Sequence, residues 1–400
     1  MINKIGGNTM KYTKFMAFTL VLLLAGSSSW AAMSDEEFVK LCKSGKPDEI
    51  EAALNDGAFI GAHYDYWSPL MMAANYNPDP KVTELLIEFG ADLNEIANDY
   101  MRAWYNEMPT PLMMAAHSNP NPEVVEILIQ AGANINIQTG YSSRHYSALF
   151  WALMRPVAKT ENQTKTVSQK NSTKGLILSS GSNSDSENDD DPRTVIIKML
   201  INAKADVNAR NYDGSNYYYP LMLAKTFPVA AALIEAGADV NQGKPLCVFI
   251  SVNAPQNMIE LLLDHGADVN INSGEPLELA LSNKNAVKIE LIQLLLDRGA
   301  DINLSTPLIT ALMNEKVTSE VIELLLVHGT NINEKSSDNG YTPLHFAERY
   351  SVSSGIVELL LDRGADPKVK DNSGKLAFDY ARDNRNLAGS TLRRLVKASR

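Results

Sequence analysis

Short polar side chains recur along this chain at a spacing that could hold a cation. Asp92, Asn134, Asp206, Asp239, Asp268, Asp301, Asn331 and Asp366 each stand two residues after a glycine, or after Lys204 in one case. Asn94, Asn136, Asn208, Asn241, Asn270, Asn303 and Asn333 stand two residues further on. Carboxylates and amides in a row are hard-cation ligands or acid–base groups. The same side chains also bond neighbouring backbone in turns, and that loop-shaping role is the one expected here. Of the six histidines, His265 and His328 sit where helices should end, a position that suits the helix dipole. His63, His117 and His145 share no helix face with a cysteine or with one another. The chain carries no Ser/His/Asp or Cys/His arrangement, no HExxH and no glycine-rich phosphate loop. No catalytic residue, no cofactor and no metal is therefore expected, and the chain reads as a non-enzyme.

The elements that carry these residues repeat. A Pro-Leu pair opens a short apolar run at Pro69, Pro111, Pro220, Pro245, Pro276, Pro307 and Pro343, with Ala148 and Ala377 in the same role. Proline at the first helical position loses no needed N–H. A second apolar helix follows each, and the stops after all but the last are Gly90, Gly132, Lys204, Gly237, Gly266, Gly299, Gly329 and Gly364, with Gly57 ending the unit before Pro69; a left-handed residue is wanted there. The clearest unit is Thr342–Ala381, which starts TPLHFA and ends its second helix at Gly364. In the second and third units Asp79 and Asn121 precede Pro80 and Pro122 and are placed to cap the second helix.

Thr342-Pro343-Leu344-His345-Phe346-Ala347 resembles the ankyrin-repeat signature at every fixed position, with the glycine stops in phase. The resemblance implies an all-α fold, an ankyrin-repeat solenoid of about ten helix pairs with β-turn or hairpin arms, over residues 34–400. It implies an internal hydrogen-bonding role for His345. It also implies that arms and inner helices line a concave groove that binds other proteins. The first unit, Asp35–Gly57, and the last, which is rich in arginine, read as polar caps of the stack. Cys42 and Cys247 fall five repeats apart, roughly 50 Å at ~10 Å per repeat, and cannot form a disulfide.

Residues 1–31 read as a signal peptide: Lys11 and Lys14, an apolar run from Phe15 to Ala25, then small residues at Ser29 and Ala31. Translation can start at Met1 or at Met10, and the second gives the more usual length. The mature protein is expected to be periplasmic or secreted, with no stable membrane insertion after cleavage and as a monomer. Residues 155–192 interrupt the fourth unit with a Ser/Asn/Lys/Asp-rich stretch, expected to be a disordered insertion. Its alternating acids lack the glycine and closing glutamate of a calcium loop. The net charge is −11, and the first 31 residues carry lysines but no acid. That balance disfavours nucleic acid and anionic membrane and favours a basic protein partner.

The arms differ in length. Gly237–Pro245, Gly266–Pro276 and Gly299–Pro307 are short and must be tight turns, whereas Gly57–Pro69, Gly90–Pro111, Gly132–Ala148 and Lys204–Pro220 are long. The long arms hold most of the 15 tyrosines: Tyr64, Tyr66 and Trp67 on the first, Tyr100, Trp104 and Tyr105 on the second, Tyr141 and Tyr146 on the third, and Tyr212, Tyr217, Tyr218 and Tyr219 on the fourth. Tyrosine and tryptophan anchor interfaces. The expected function is a non-enzymatic protein-binding scaffold in the cell envelope, using the aromatic-rich concave face of the N-terminal repeats. An inhibitor or immunity protein of a toxin or lytic enzyme is the favoured role. A secreted effector binding host proteins and a glycan or cell-wall binding module are the alternatives.

Overall fold

The computed structural model describes residues 33–96, 109–140, 145–155, 191–212, 215–285, 287–350, 353–381 and 389–399. Within them, ten helix pairs follow one another. The inner helices are Asp35–Cys42, Pro69–Tyr76, Pro111–Ser118, Ala148–Met154, a 3-10 turn Pro220–Leu223, Pro245–Ser251, the second part of Ile271–Ser282, Pro307–Leu312, Pro343–Arg349 and Ala377–Ala381. The outer helices are Pro47–Asn55, Pro80–Glu88, Pro122–Gln130, Pro192–Asn202, Phe227–Glu235, Gln256–Asp264, Ile289–Asp297, Ser319–Val327, Ser354–Asp362 and Gly389–Ser399. Each inner helix packs on the inner helices of the neighbouring repeats, so the core is a continuous stripe running through the stack. No described helix is long and apolar enough to cross a membrane.

Local chemistry accounts for the helix boundaries. Ser68, Thr110 and Ser147 accept the N–H of the third residue into the following helix, which begins with proline in the first two cases. Asp79 and Asn121 cap the outer helices through the N–H of Lys81 (3.1 Å) and Glu123 (3.0 Å). The stop glycines have φ between 87° and 97°, and Lys204 holds φ 69° in the same place. A side chain there costs about 1–2 kcal/mol, which the rest of the repeat offsets.

The fourth repeat departs from the expected boundaries. Its outer helix begins at Pro192, three residues before the apolar run at Val195. Arg155, at the other end of the insertion, is half-buried and donates to the carbonyls of Ala116 and Asn119. Arg193, 3% exposed, donates through Nη2 to the Leu153 carbonyl. Burial lowers both guanidinium pKa values, that of Arg193 to about 10. Both ends of the insertion are thus tied to the inner helices. The rest of it, 156–190, and residues 1–31, expected to be a signal peptide, lie outside the described residues.

Two ladders of side-chain amides join the repeats. On the loop side, Asn77 donates to Cys42 and Gly45, Asn119 to Ala74 and Asn77, and Asn314 to Leu281 and Asn283. On the arm side, Asn208 donates to the Gly237 carbonyl (2.9 Å) and accepts the Asp239 N–H (2.8 Å). Asn136, Asn241, Asn270 and Asn333 do the same one repeat to the next. The aspartates accept the N–H two residues on, as in Asn208 to Asp206 (2.9 Å). The loop-shaping role is therefore confined to the aspartates and to the asparagines in their place, while the second asparagine of each arm bonds across the repeat boundary. Asn303 is the exception, turning its amide back onto Asp301 (3.2 Å).

Candidate protein-binding surface

Among the described residues the first, third and fourth long arms carry antiparallel pairing, and the three short arms carry none. In the first arm Tyr64 and Trp67 exchange both backbone hydrogen bonds (3.1 and 3.0 Å) across a two-residue tip, Asp65–Tyr66, with φ of 49° and 72°. A tyrosine at positive φ is strained, and such strain tends to collect at functional sites. It leaves the Tyr66 ring 39% exposed. Beside it a groove of about 680 Å³ is lined by His63, Asp65, Tyr66, Glu95 and Ile96. His63 contacts the Gly61 carbonyl through Nδ1 and Glu95 through Nε2. This pair joins the first two arms where Gly61 stands in place of the ladder asparagine.

The third and fourth arms merge into one small sheet. Thr139 pairs with Tyr146, His145 with Tyr212, and strand β1 (Asn211–Tyr212) with strand β2 (Tyr217–Tyr218), all antiparallel. Asn211, fully buried, accepts the Ser147 N–H (3.0 Å) and locks the sheet to the inner helix. A groove of about 660 Å³ opens on this sheet, with Asp206, Arg210, His145, Tyr212 and Tyr217 among its lining. The Arg210 guanidinium lies 4.5 Å from the centre of the Tyr217 ring, which in turn lies 4.7 Å from that of Tyr212. Tyr217 is 53% exposed.

The expected anchors therefore divide. Tyr66 and Tyr217 face solvent, and Tyr212 is half-buried beside Tyr217. Tyr146 and Tyr218 are a correction to the expected surface: at 4% and 7% exposed they are core residues, flanking Phe150 with ring centres 4.9 and 6.5 Å away. Tyr64 and Trp67 are half-buried and used for packing. Lys40 sits 4.7 Å above the Tyr64 ring and Trp67 stacks on Tyr76 at 5.7 Å. Tyr100, Trp104, Tyr105 and Tyr141 lie outside the described residues. Ile96 and Arg210 join the surface although nothing in their spacing marks them out, because their arm positions are filled by other residue types elsewhere.

The two thiols are buried, and His117, His265, His328 and His345 are bonded to backbone carbonyls. Cys42 and Cys247 are free and buried, and loss of solvation pushes both thiols up to about 12. Among the described residues no cluster of three or more metal-binding side chains occurs. His265 and His328 cap their own helices at the carbonyls of Leu261 and Leu324 (2.8 Å each). His345 accepts from Thr342 at Nδ1 (2.8 Å) and donates from Nε2 to the Lys375 carbonyl (3.2 Å), the internal role expected of it. His117 donates to the Trp151 carbonyl (3.2 Å).

Burial lowers the pKa of both His117 and His345. The unfolded chain therefore takes up these protons first as pH falls through ~6.5, and stability drops from there toward the depressed native values. The urea midpoint should fall between about pH 7.5 and about pH 5.5, a range above carboxylate titration, and His345→Gln should flatten the fall. A midpoint independent of pH over this range would contradict the assignment.

Stacked helix pairs joined by protruding hairpins, with grooves on the hairpins, define a repeat scaffold for protein–protein interaction. A family model described as ankyrin repeats (3 copies) matches residues 29–139, 70–160, 221–306 and 277–371, and the chain belongs to that family. It is similar to an ankyrin repeat protein of Fowlpox virus, 34% identical over 155 residues (36% of this chain, 35% of that protein). It is also similar to the human 2-5A-dependent ribonuclease, 42% identical over 74 residues (18% and 10%). The Escherichia coli ankyrin repeat protein YahD is 29% identical over 166 residues (38% and 80%). The chain spans about a third or less of the length of the curated relatives it matches first.

Proposed function

We propose that this chain is an exported, non-enzymatic scaffold of the cell envelope that holds a basic protein partner on the long arms of its N-terminal half, as inhibitor or immunity protein of a toxin or lytic enzyme. One observation supports this above the others: both arm grooves fall on long arms of the first five repeats, and each is lined by a solvent-facing tyrosine, Tyr66 in one and Tyr217 in the other. Exposed aromatic rings beside a concavity are the usual anchors of a protein interface. Tyr100, Trp104, Tyr105 and Tyr141 belong to the same proposed surface by their place on the long arms. The leader-like residues 1–31 support an envelope address, and the acidic balance of the rest supports a basic partner.

Affinity capture from an envelope extract with the wild-type chain identifies the partner. Replacing Tyr66→Ser or Tyr217→Ser should weaken its binding by ~30-fold each, the loss of a ~2 kcal/mol anchor. Equal capture by wild type and by the double variant would show that the arms are not the binding surface.

A further inference from the structure

The small sheet on the third and fourth arms ends in an open edge. His145 and Tyr212 exchange both of their backbone hydrogen bonds (3.2 and 3.1 Å), so the N–H and C=O of Tyr212 point toward His145. Opposed residues in an antiparallel ladder alternate between bonded and non-bonded pairs. Tyr212 and Tyr217 are therefore a non-bonded pair, which agrees with their closely set rings. It follows that the N–H and C=O of Tyr217 point away from the sheet. Outside the β1–β2 pair neither is in a backbone hydrogen bond among the described residues.

The next arm would cover this edge if it were full length. It runs only from Gly237 to Pro245 and turns through Gly243 and Lys244, with φ of 76° and 60°. A Cβ on Gly243 would lie 2.3 Å from the Met222 sulfur and 2.6 Å from the Tyr219 ring, so this turn packs below the sheet, past the end of β2. Natural sheets blunt exposed edges with lysine, proline or a bulge. Here the edge residue is an exposed tyrosine, beside a groove walled by Asp206. Asp239, Asp268 and Asp301 continue the exposed carboxylates from repeat to repeat, and none of the four is in an ion pair among the described residues.

We propose that this edge takes an extended, basic segment of the partner protein as an added strand. Backbone groups of the segment pair with Tyr217, an apolar side chain lies against the Tyr212 and Tyr217 rings, and lysine or arginine side chains on it meet the aspartate row. The proposal rests on the reading that the long arms are the binding surface, and adds how they bind and what they take.

The test uses the full chain carrying isotope-labelled tyrosine and three short peptides. One alternates valine and lysine, one alternates valine and glutamate, and one is the lysine peptide methylated on every backbone nitrogen, which leaves neither of its edges a donor. The lysine peptide should shift the Tyr217 amide resonance and slow its hydrogen exchange by at least ~10-fold, and the other two should do neither. Tyr217→Pro removes only an outward N–H and the ring, a change edge strands tolerate. It should lower binding of the lysine peptide at least ~10-fold, while Tyr217→Phe leaves it unchanged. Equal binding of the methylated peptide, or of the Tyr217→Pro chain, overturns strand addition. Equal binding of the glutamate peptide overturns the basic occupant. Protection of the Tyr217 amide without peptide, in a chain that sediments as a dimer, assigns the edge to a second copy and also overturns the proposal. Loss of the captured partner in Tyr217→Ser, with no peptide binding, sinks strand addition alone. Undiminished capture by the Tyr66→Ser, Tyr217→Ser double variant sinks the arm surface itself.

Discussion

Phe249→Ala is expected to split the unfolding of this chain into two transitions. Phe249 is 1% exposed on the inner helix Pro245–Ser251 of the sixth repeat, between the 3-10 turn of the fifth and the helical end of the seventh. Truncating a buried phenylalanine costs about 3–5 kcal/mol through lost burial and the cavity left behind. In a globular domain that loss is spread over one cooperative unit. A stack of repeats is held together by nearest-neighbour interfaces, so the cost falls on the sixth repeat and its two contacts. The arms on either side of this repeat are short, which leaves little arm-to-arm pairing to hold the halves together. Urea unfolding followed by far-ultraviolet circular dichroism should change from one transition to two, the second near the wild-type midpoint. Met313→Ala, at a side chain 51% exposed, should leave the curve unchanged. A single transition in Phe249→Ala, shifted but no broader, would show that the ten pairs unfold as one unit.

Asn119→Ala should cost about 3 kcal/mol, although it removes no apolar surface. Asn119 is fully buried. Its amide donates to the carbonyls of Ala74 and Asn77 (2.9 Å each), and its Oδ1 accepts the N–H of Asn121 (2.9 Å). Asn121 is the N-cap of Pro122–Gln130, so the same substitution also loosens that helix start. Three backbone groups would lose their partners where water cannot easily replace them, at about 1–3 kcal/mol apiece before relaxation. Asn208→Ala removes a comparable set of bonds on the arm side, but there the side chain is exposed and water takes over. Its cost should be about 1 kcal/mol or less. Urea midpoints for the two variants decide the matter, and equal losses would mean that burial does not set the strength of the two ladders.

The contrast between those asparagines shows where sequence ends. Asn208 and its equivalents recur at one offset from each helix stop, so their structural role is visible as a period. Asn119 recurs with Asn77 in an Asn-Pro-X-Pro loop, which displays a helix cap but not the bonds reaching back one repeat. Arg155 and Arg193 look like ordinary charged residues beside a polar insertion, and only the packing shows that each guanidinium closes carbonyls of the preceding inner helix. The same limit separates Tyr217 from Tyr218. Adjacent residues of a strand point to opposite faces, so one faces solvent and the other the core. Which is which depends on the hairpin register, and that register is set by the pairing of His145 with Tyr212, far apart in the chain.

By itself the sequence determined the family, most of the helix starts, the stop residues including Lys204, and the division into long and short arms. Each of these is written in local chemistry: a proline that needs no donor, a glycine that accepts positive φ, a hydroxyl that caps. Tertiary structure alone decided which tyrosines are surface and which are core, how the repeats are bonded to one another, and that the sheet on the fourth arm ends at Tyr217. Those outcomes depend on contacts between residues one or two repeats apart, where burial and hydrogen-bond parity set the result, and a periodic sequence offers many equivalent partners for each.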